Sequence, residues 1–157
     1  MDWQIVANIA TVIEAVVVTL SVIFIWRQIR QQTKLARIAN VQSLVEISSP
    51  FNMQLIQDHQ MADLWVNGYK DFEKYDKVKK HQYNSLLIWW LIFHENVFYQ
   101  WKSGLLDKRA YSPWEYDLGY FVKDQHLELR WENMKGFFQQ DFRNHIDELI
   151  AQNTNQA

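Results

Sequence analysis

The first strong pattern in the chain is a run without alternation. Ile5 to Ile25 is twenty-one residues long and carries one ionisable group, Glu14. At about 1.5 Å per residue, a helix of this length spans a hydrocarbon core of about 30 Å. Trp3 and Trp26 bracket the run, Asp2 precedes it, and Arg27, Arg30, Lys34 and Arg37 follow. Indole rings favour the headgroup level, and an excess of cations stays on the cytoplasmic side. The run therefore predicts a transmembrane anchor over 1–26, single-pass in a bacterial inner (plasma) membrane, N-terminus outside. An acidic leader and a long apolar stretch suit a signal anchor rather than a cleaved signal peptide.

Wound at 100° per residue, the run divides into two faces. Ile5, Val6, Ile9, Val12, Ile13, Val16, Val17, Leu20, Ile23 and Phe24 share one half, which suits lipid. Ala7, Asn8, Ala10, Thr11, Glu14, Ala15, Thr19 and Ser21 collect on the other. Small side chains let helix backbones approach, and polar groups bond across the seam. Asn8, Thr11, Glu14 and Ser21 are thus expected to mediate self-association or contact with a membrane partner. A lone ionised carboxylate at mid-bilayer costs at least a few kcal/mol, so Glu14 is expected to face a partner helix, carry a proton or line water.

No helix breaker intervenes between Trp26 and Ser48, so a juxtamembrane helix is predicted over 27–48. Arg27, Arg30, Lys34 and Arg37 form one stripe, which either contacts anionic headgroups or only obeys the topology rule. Leu35, Ile38, Val41, Leu44 and Val45 form an apolar face that can dock on the following domain or on a neighbouring copy.

Residues 49–152 predict a cytoplasmic bundle of about five helices. Ser49-Pro50 reads as cap and first helical residue, and Gly68 as the end or bend of that helix. A long helix from near Tyr75–Val78 to Ser103 follows, stopped at Gly104. Its stretch Leu86–Phe93 is apolar on every side, too short to span a membrane, and expected to be buried all round. Ser112-Pro113 reads as another start, for a helix over Trp114–Lys123. QHLELRWENMKGFF supports a further helix, and Phe142, Ile146 and Ile150 mark the last, near Gln140–Ile150. Residues 153–157 are expected to be a polar, frayed tail. Four glycines and two prolines in 157 residues agree with an all-α fold.

Charge and chemistry narrow the function by exclusion. A net charge of −2 gives no basic field for nucleic acid, and Lys77, Lys79 and Lys80 read as a solvated helix start rather than a phosphate site. Zero cysteines fit a reducing compartment and remove disulfides, thiolate nucleophiles and cysteine-based zinc sites. His59, His81, His94, His126 and His145 include no i, i+4 pair, and there is no phosphate-cradling loop or catalytic cluster. No metal, cofactor or enzymatic activity is expected.

The most pointed local feature is His94-Glu95-Asn96-Val97-Phe98-Tyr99-Gln100-Trp101. Glu95 and Tyr99 lie one turn apart in an apolar helix, as do Asn96 and Gln100. Either these four build a hydrogen-bond network that fixes helix register, or they line a ligand pocket with Glu95 as its first candidate. The six tryptophans at 65, 89, 90, 101, 114 and 131 are expected mostly in the core.

The order of features resembles a widespread family of small bacterial single-span proteins of unassigned function. Its members share an apolar helix leading into a pattern like F-E-N-x-x-Y-Q-x-x-x-G-L-L-D. Glu95, Asn96, Tyr99, Gln100, Gly104, Leu105, Leu106 and Asp107 match it; His94 stands where Phe is more usual, and Glu14 is more intrusive than the typical anchor. The resemblance implies a membrane-anchored helical domain and no activity. Two functional expectations follow. The first is a membrane-tethered interaction or sensing module with an unknown ligand or partner. The second is a homo-oligomeric membrane effector or small pore built on the polar face around Glu14.

Overall fold

The computed structural model describes residues 3–154, with the side chains of Val6, Ala7, Ala10, Val12 and Thr154 left out of that description. Asp2, the acidic flank, and residues 155–157 of the tail lie outside the described residues. So do the side chains of Val6 and Val12 on the expected lipid face, and of Ala7 and Ala10 on the small-residue face.

Six α-helices follow one another: α1 Trp3–Gln57, α2 His59–Asp71, α3 Lys77–Lys102, α4 Lys108–Asp124, α5 Trp131–Met134 and α6 Gln140–Thr154. Short 3-10 turns at Phe72–Lys74, Leu127–Leu129 and Lys135–Phe137 complete the order, with no strand among the described residues. The fold is all-α. The chain divides into two compact units, Met1–Ala39 and Asn40–Ala157.

In the first unit, Ile5, Ile9, Ile13, Val16, Val17, Val18, Leu20, Val22, Ile23, Phe24 and Ile25 are all exposed. Trp26 is exposed too, with the Arg30 guanidinium 3.8 Å from its ring centroid. Among the described residues, no helix is long and apolar enough to cross a membrane. Val6, Ala7, Ala10 and Val12 of the apolar run fall partly outside that description.

The second unit is built around α3, whose Tyr83, Leu87, Trp90, Leu91, His94, Val97 and Phe98 are buried. The end of α1 docks through Leu44, Ser48 and Phe51, on one helical stripe. The face expected to dock is a different one. Of Leu35, Ile38, Val41, Leu44 and Val45, only Leu44 is buried, and residues 40–48 belong to this unit rather than to a separate juxtamembrane segment. Phe51 stacks on Trp89 and Trp90 with centroids 4.8 and 5.0 Å apart and meets Trp65 edge-on at 5.0 Å.

That cluster explains the first correction to the predicted boundaries. Pro50 does not open a helix; it lies inside α1, which runs to Gln57. An internal proline costs about 3 kcal/mol through its missing N–H and its ring clash. Burying Phe51 among three indoles, with Leu55 packed beside it, outweighs that cost. The Ser49 hydroxyl, read as a cap, donates instead to the Val45 carbonyl at 2.6 Å. The break comes at Asp58, whose carboxylate accepts the Gln60 and Met61 N–H groups at 2.8 and 3.2 Å.

Pro113 is likewise inside α4. The helix opens at Asp107, which accepts the Ala110 N–H at 2.9 Å, and the extra turn places Tyr111 in the core, stacked on Trp101 at 4.5 Å. Gly104 has φ +77°, the left-handed conformation that ends α3, and the Leu105 and Leu106 N–H groups both donate to the Gln100 carbonyl. In the sequence Gly-Leu-Leu-Asp, then, the glycine turns, Leu106 is buried, and the aspartate caps, while the Leu105 side chain is 52% exposed.

Three more expectations change. Gly68 neither ends nor bends α2 but sits inside it, packed against the Tyr83 ring. Leu86–Phe93 is not buried all round, because Ile92 is 49% exposed and Trp89 lies at the surface. The helix expected over QHLELRWENMKGFF is divided at His126, with φ +48°, and again beyond Met134. Leu127, Trp131, Met134 and Phe138 still share one buried stripe. The tryptophans do lie mostly in the core: Trp90 and Trp131 are buried, Trp65, Trp101 and Trp114 are partly buried against the core cluster, and Trp89 is at the surface.

Candidate functional site

Helix α3 presents polar groups on several sides, and they meet partners on α1 and α4 and at the start of α6 as well as on α3 itself. Glu95 Oε1 accepts the Gln139 N–H at 2.7 Å, immediately before α6. A carboxylate there satisfies a donor that the helix start would otherwise orphan and complements its positive end. Tyr99, one turn on, faces the same α6 start. Burial raises its hydroxyl above the ordinary phenol range, the nearby Asp141 and Glu95 charges add to this, and the Phe142 N–H opposes it.

Asn96 and Gln100 form the second pair. Gln100 Nε2 donates to Asn96 Oδ1 at 2.5 Å, and Asn40 Nδ2 donates to Gln100 Oε1 at 2.6 Å. The four residues singled out in the sequence therefore do not converge on one pocket. Glu95 and Tyr99 seat α6 on α3, while Asn96 and Gln100 hold Asn40 of α1.

Sequence reasoning missed several polar groups that only packing brings together. His94 is buried, and its Nε2 lies 3.0 Å from Asp117 Oδ2 on α4. A carboxylate set among Trp114, Leu118 and Phe121 on the core stripe of α4 was the available signal. The Tyr83 hydroxyl donates to Gln125 Oε1 at 3.1 Å inside the core, and burial pushes it up to about 12. Arg130 lies 3.2 Å from the Phe72 ring centroid, and burial lowers its guanidinium below the usual range.

Tyr111 on α4 and His145 on α6 each carry a further buried polar atom. His145 stacks on Phe98 at 5.1 Å, and its Nε2, like the Tyr111 hydroxyl, is buried without a hydrogen-bond partner. Burial lowers the His145 pKa; Glu115 and Glu148 oppose this, and Lys102 reinforces it. The folded state thus holds the imidazole neutral where the unfolded chain, near 6.5, takes a proton. This contribution is fully present above about pH 6.5 and is lost as pH falls below it. Urea midpoints of the wild type are expected to drop between about pH 8 and pH 5 by more than those of His145→Phe, which keeps the stack without the proton site. An identical drop in both would remove His145 from the account.

An open cleft of about 710 Å³ lies between the starts of α2 and α3, with Leu64 and Leu86 in its lining and His59, His81, Gln60 and Gln82 beside them. Among the described residues no group of three or more metal-ligating side chains comes together. The lysine cluster is occupied locally: Lys80 pairs with Glu73 at 3.2 Å, and Lys79 lies 4.6 Å from the Tyr75 ring centroid.

In the first unit the Ser21 hydroxyl donates to the Val17 carbonyl of its own helix at 2.7 Å, and Asn8, Thr11 and Glu14 are exposed. Arg27, Arg30, Lys34 and Arg37 are exposed as well. No family model, no curated protein and no solved structure matches the chain.

Proposed function

We propose that the chain is a membrane-anchored helical interaction or sensing module. Residues 5–25 form a single span in a bacterial inner membrane, and the Asn40–Ala157 bundle stands on the cytoplasmic side. One observation carries this reading: along the helix from Ile13 to Trp26 the large apolar side chains are all exposed, and the polar interruptions are Glu14, Thr19 and Ser21. A patch of that extent has lipid or another helix as its natural cover. The basic residues that follow set the orientation, and Arg27, Arg30, Lys34 and Arg37 are positioned in sequence to meet anionic headgroups. The bundle contributes rigid surface; no residue in it is assigned a catalytic role. The resemblance to small bacterial single-span proteins agrees with this architecture.

A second reading, a homo-oligomer joined through Asn8, Thr11, Glu14 and Ser21, draws on the exposed carboxylate of Glu14 inside that apolar surface. Since the chain has no cysteine, one set of single-cysteine variants tests both. On intact cells an impermeant maleimide is expected to label Trp3→Cys and to reach Glu128→Cys only after permeabilisation. The reverse pattern, or release of the chain by alkaline carbonate, would sink the anchor. Oxidation is expected to cross-link Ser21→Cys between copies but not Leu20→Cys, and equal cross-linking at both would remove the polar seam.

A further inference from the structure

The cleft of about 710 Å³ between the starts of α2 and α3 has the size of a small-molecule site, for which about 300–1,000 Å³ is usual. Its apolar part is the buried Leu64 with the half-buried Met61 and Leu86. Its walls are not bridged: among the described residues no hydrogen bond or ion pair joins the lining residues of α2 to those of α3. Asp58 is committed to the first turn of α2, where its carboxylate accepts two N–H groups. Asp63 on the α2 wall accepts the Asn67 amide through Oδ1, and on the α3 wall Asp76 reaches Lys79 at its backbone N–H, at 2.8 Å. Asp63 and Lys79 thus stand as one charge of each sign, neither in an ion pair among the described residues. Tyr75 places the two near each other. Its ring lies 4.6 Å from Lys79 Nζ, and its hydroxyl, buried without a hydrogen-bond partner, lies in the field of the Asp63 carboxylate.

We infer that this cleft binds a zwitterion of the amino-acid class with an apolar side chain. The ammonium of the ligand pairs with Asp63, its carboxylate pairs with Lys79, and its side chain rests on Leu64 and Leu86. Gln82 and Ser85, on the Lys79 wall, offer further donors to the carboxylate. A simple cation would leave Lys79 unmatched and a simple anion would leave Asp63 unmatched, whereas a zwitterion meets both. The inference goes beyond the anchor proposal and does not depend on it, because every residue it uses lies within the Asn40–Ala157 unit.

Leucine is the probe, titrated by calorimetry into the full chain in nanodiscs. Leucinamide keeps the ammonium without the carboxylate, and 4-methylpentanoate keeps the carboxylate without the ammonium. Leucine is expected to bind in the millimolar range and each analogue at least about tenfold more weakly, the scale of loss when one charged contact is removed. Asp63→Asn and Lys79→Gln, both at exposed positions, should weaken leucine by a similar factor. Asp63→Asn should leave 4-methylpentanoate binding as it was, and Lys79→Gln should do the same for leucinamide. Equal binding of all three ligands would mean an apolar slot that does not read charge, and overturns the zwitterion. No saturable binding of leucine, or binding that neither substitution weakens, overturns the site. Each of these failures leaves the anchor standing, and a chain that carbonate releases is put through the same titration in buffer.

Discussion

Replacing Phe51 by alanine is expected to destabilise the Asn40–Ala157 unit by about 3–5 kcal/mol, the range for deleting a large aromatic from a packed core. The Phe51 ring touches α2 and α3 at once, through Trp65 and through Trp89 and Trp90. Its loss leaves a cavity walled by three indoles and strands a helix end that already bears the cost of Pro50. Against a total stability of about 5–15 kcal/mol for a domain, this is enough to release residues 40–57 from the bundle. The measurement is a urea titration followed by tryptophan emission, with near-ultraviolet circular dichroism for the stacked indoles. Phe51→Leu is expected to recover more than half the loss. A cost near about 0.5 kcal/mol, the level of a neutral surface change, would mean that α1 is held elsewhere.

The second large effect turns on sign. Within a helix, Gly→Ala ordinarily stabilises by up to about 1 kcal/mol. At Gly119, inside α4, a Cβ would meet nothing within 4 Å, and Gly119→Ala is expected to follow that rule. At Gly68 a Cβ would run into Cδ2 and Cε2 of Tyr83, a fully buried ring held by its bond to Gln125. Gly68→Ala is therefore expected to destabilise by about 1–3 kcal/mol despite its better helix propensity. Tyr83→Leu shortens the opposing side chain, so the cost of Gly68→Ala in that background should shrink, a non-additivity that a double-mutant cycle reads directly. Equal stabilisation by both alanines would show that the α2–α3 contact is looser than the structure has it.

These two residues also mark where the sequence was legible. Local rules that depend on few neighbours carried through: the helical period of α3 and α6, the stop at Gly104, the i, i+4 pairing of Asn96 with Gln100. Each of these is fixed within about one helical turn, so the residues that decide it are adjacent in the chain. Gly68 could be read locally only as a stop or a bend. Its real task, making room for Tyr83, depends on a residue in the next helix.

The prolines give the clearest division between the two levels. Ser49-Pro50 and Ser112-Pro113 have the composition of helix starts, and by local propensity alone they are. Tertiary packing moved both starts to Asp58 and Asp107, because continuing through Pro50 puts Phe51 among Trp65, Trp89 and Trp90, and opening early at Asp107 puts Tyr111 against Trp101. The same holds for the polar residues. That Glu95, Tyr99, Asn96 and Gln100 need partners follows from their place in an apolar helix. That Glu95 takes the Gln139 N–H, and that Asp117 meets His94, was decided by which helices lie side by side. The sequence by itself determined an all-α chain with an apolar leading helix and a polar, periodic remainder, since those follow from side-chain order. Only the tertiary structure decided where the helices break and which polar groups meet, since burial of a few kcal/mol per aromatic ring outweighs a local preference of comparable or smaller size.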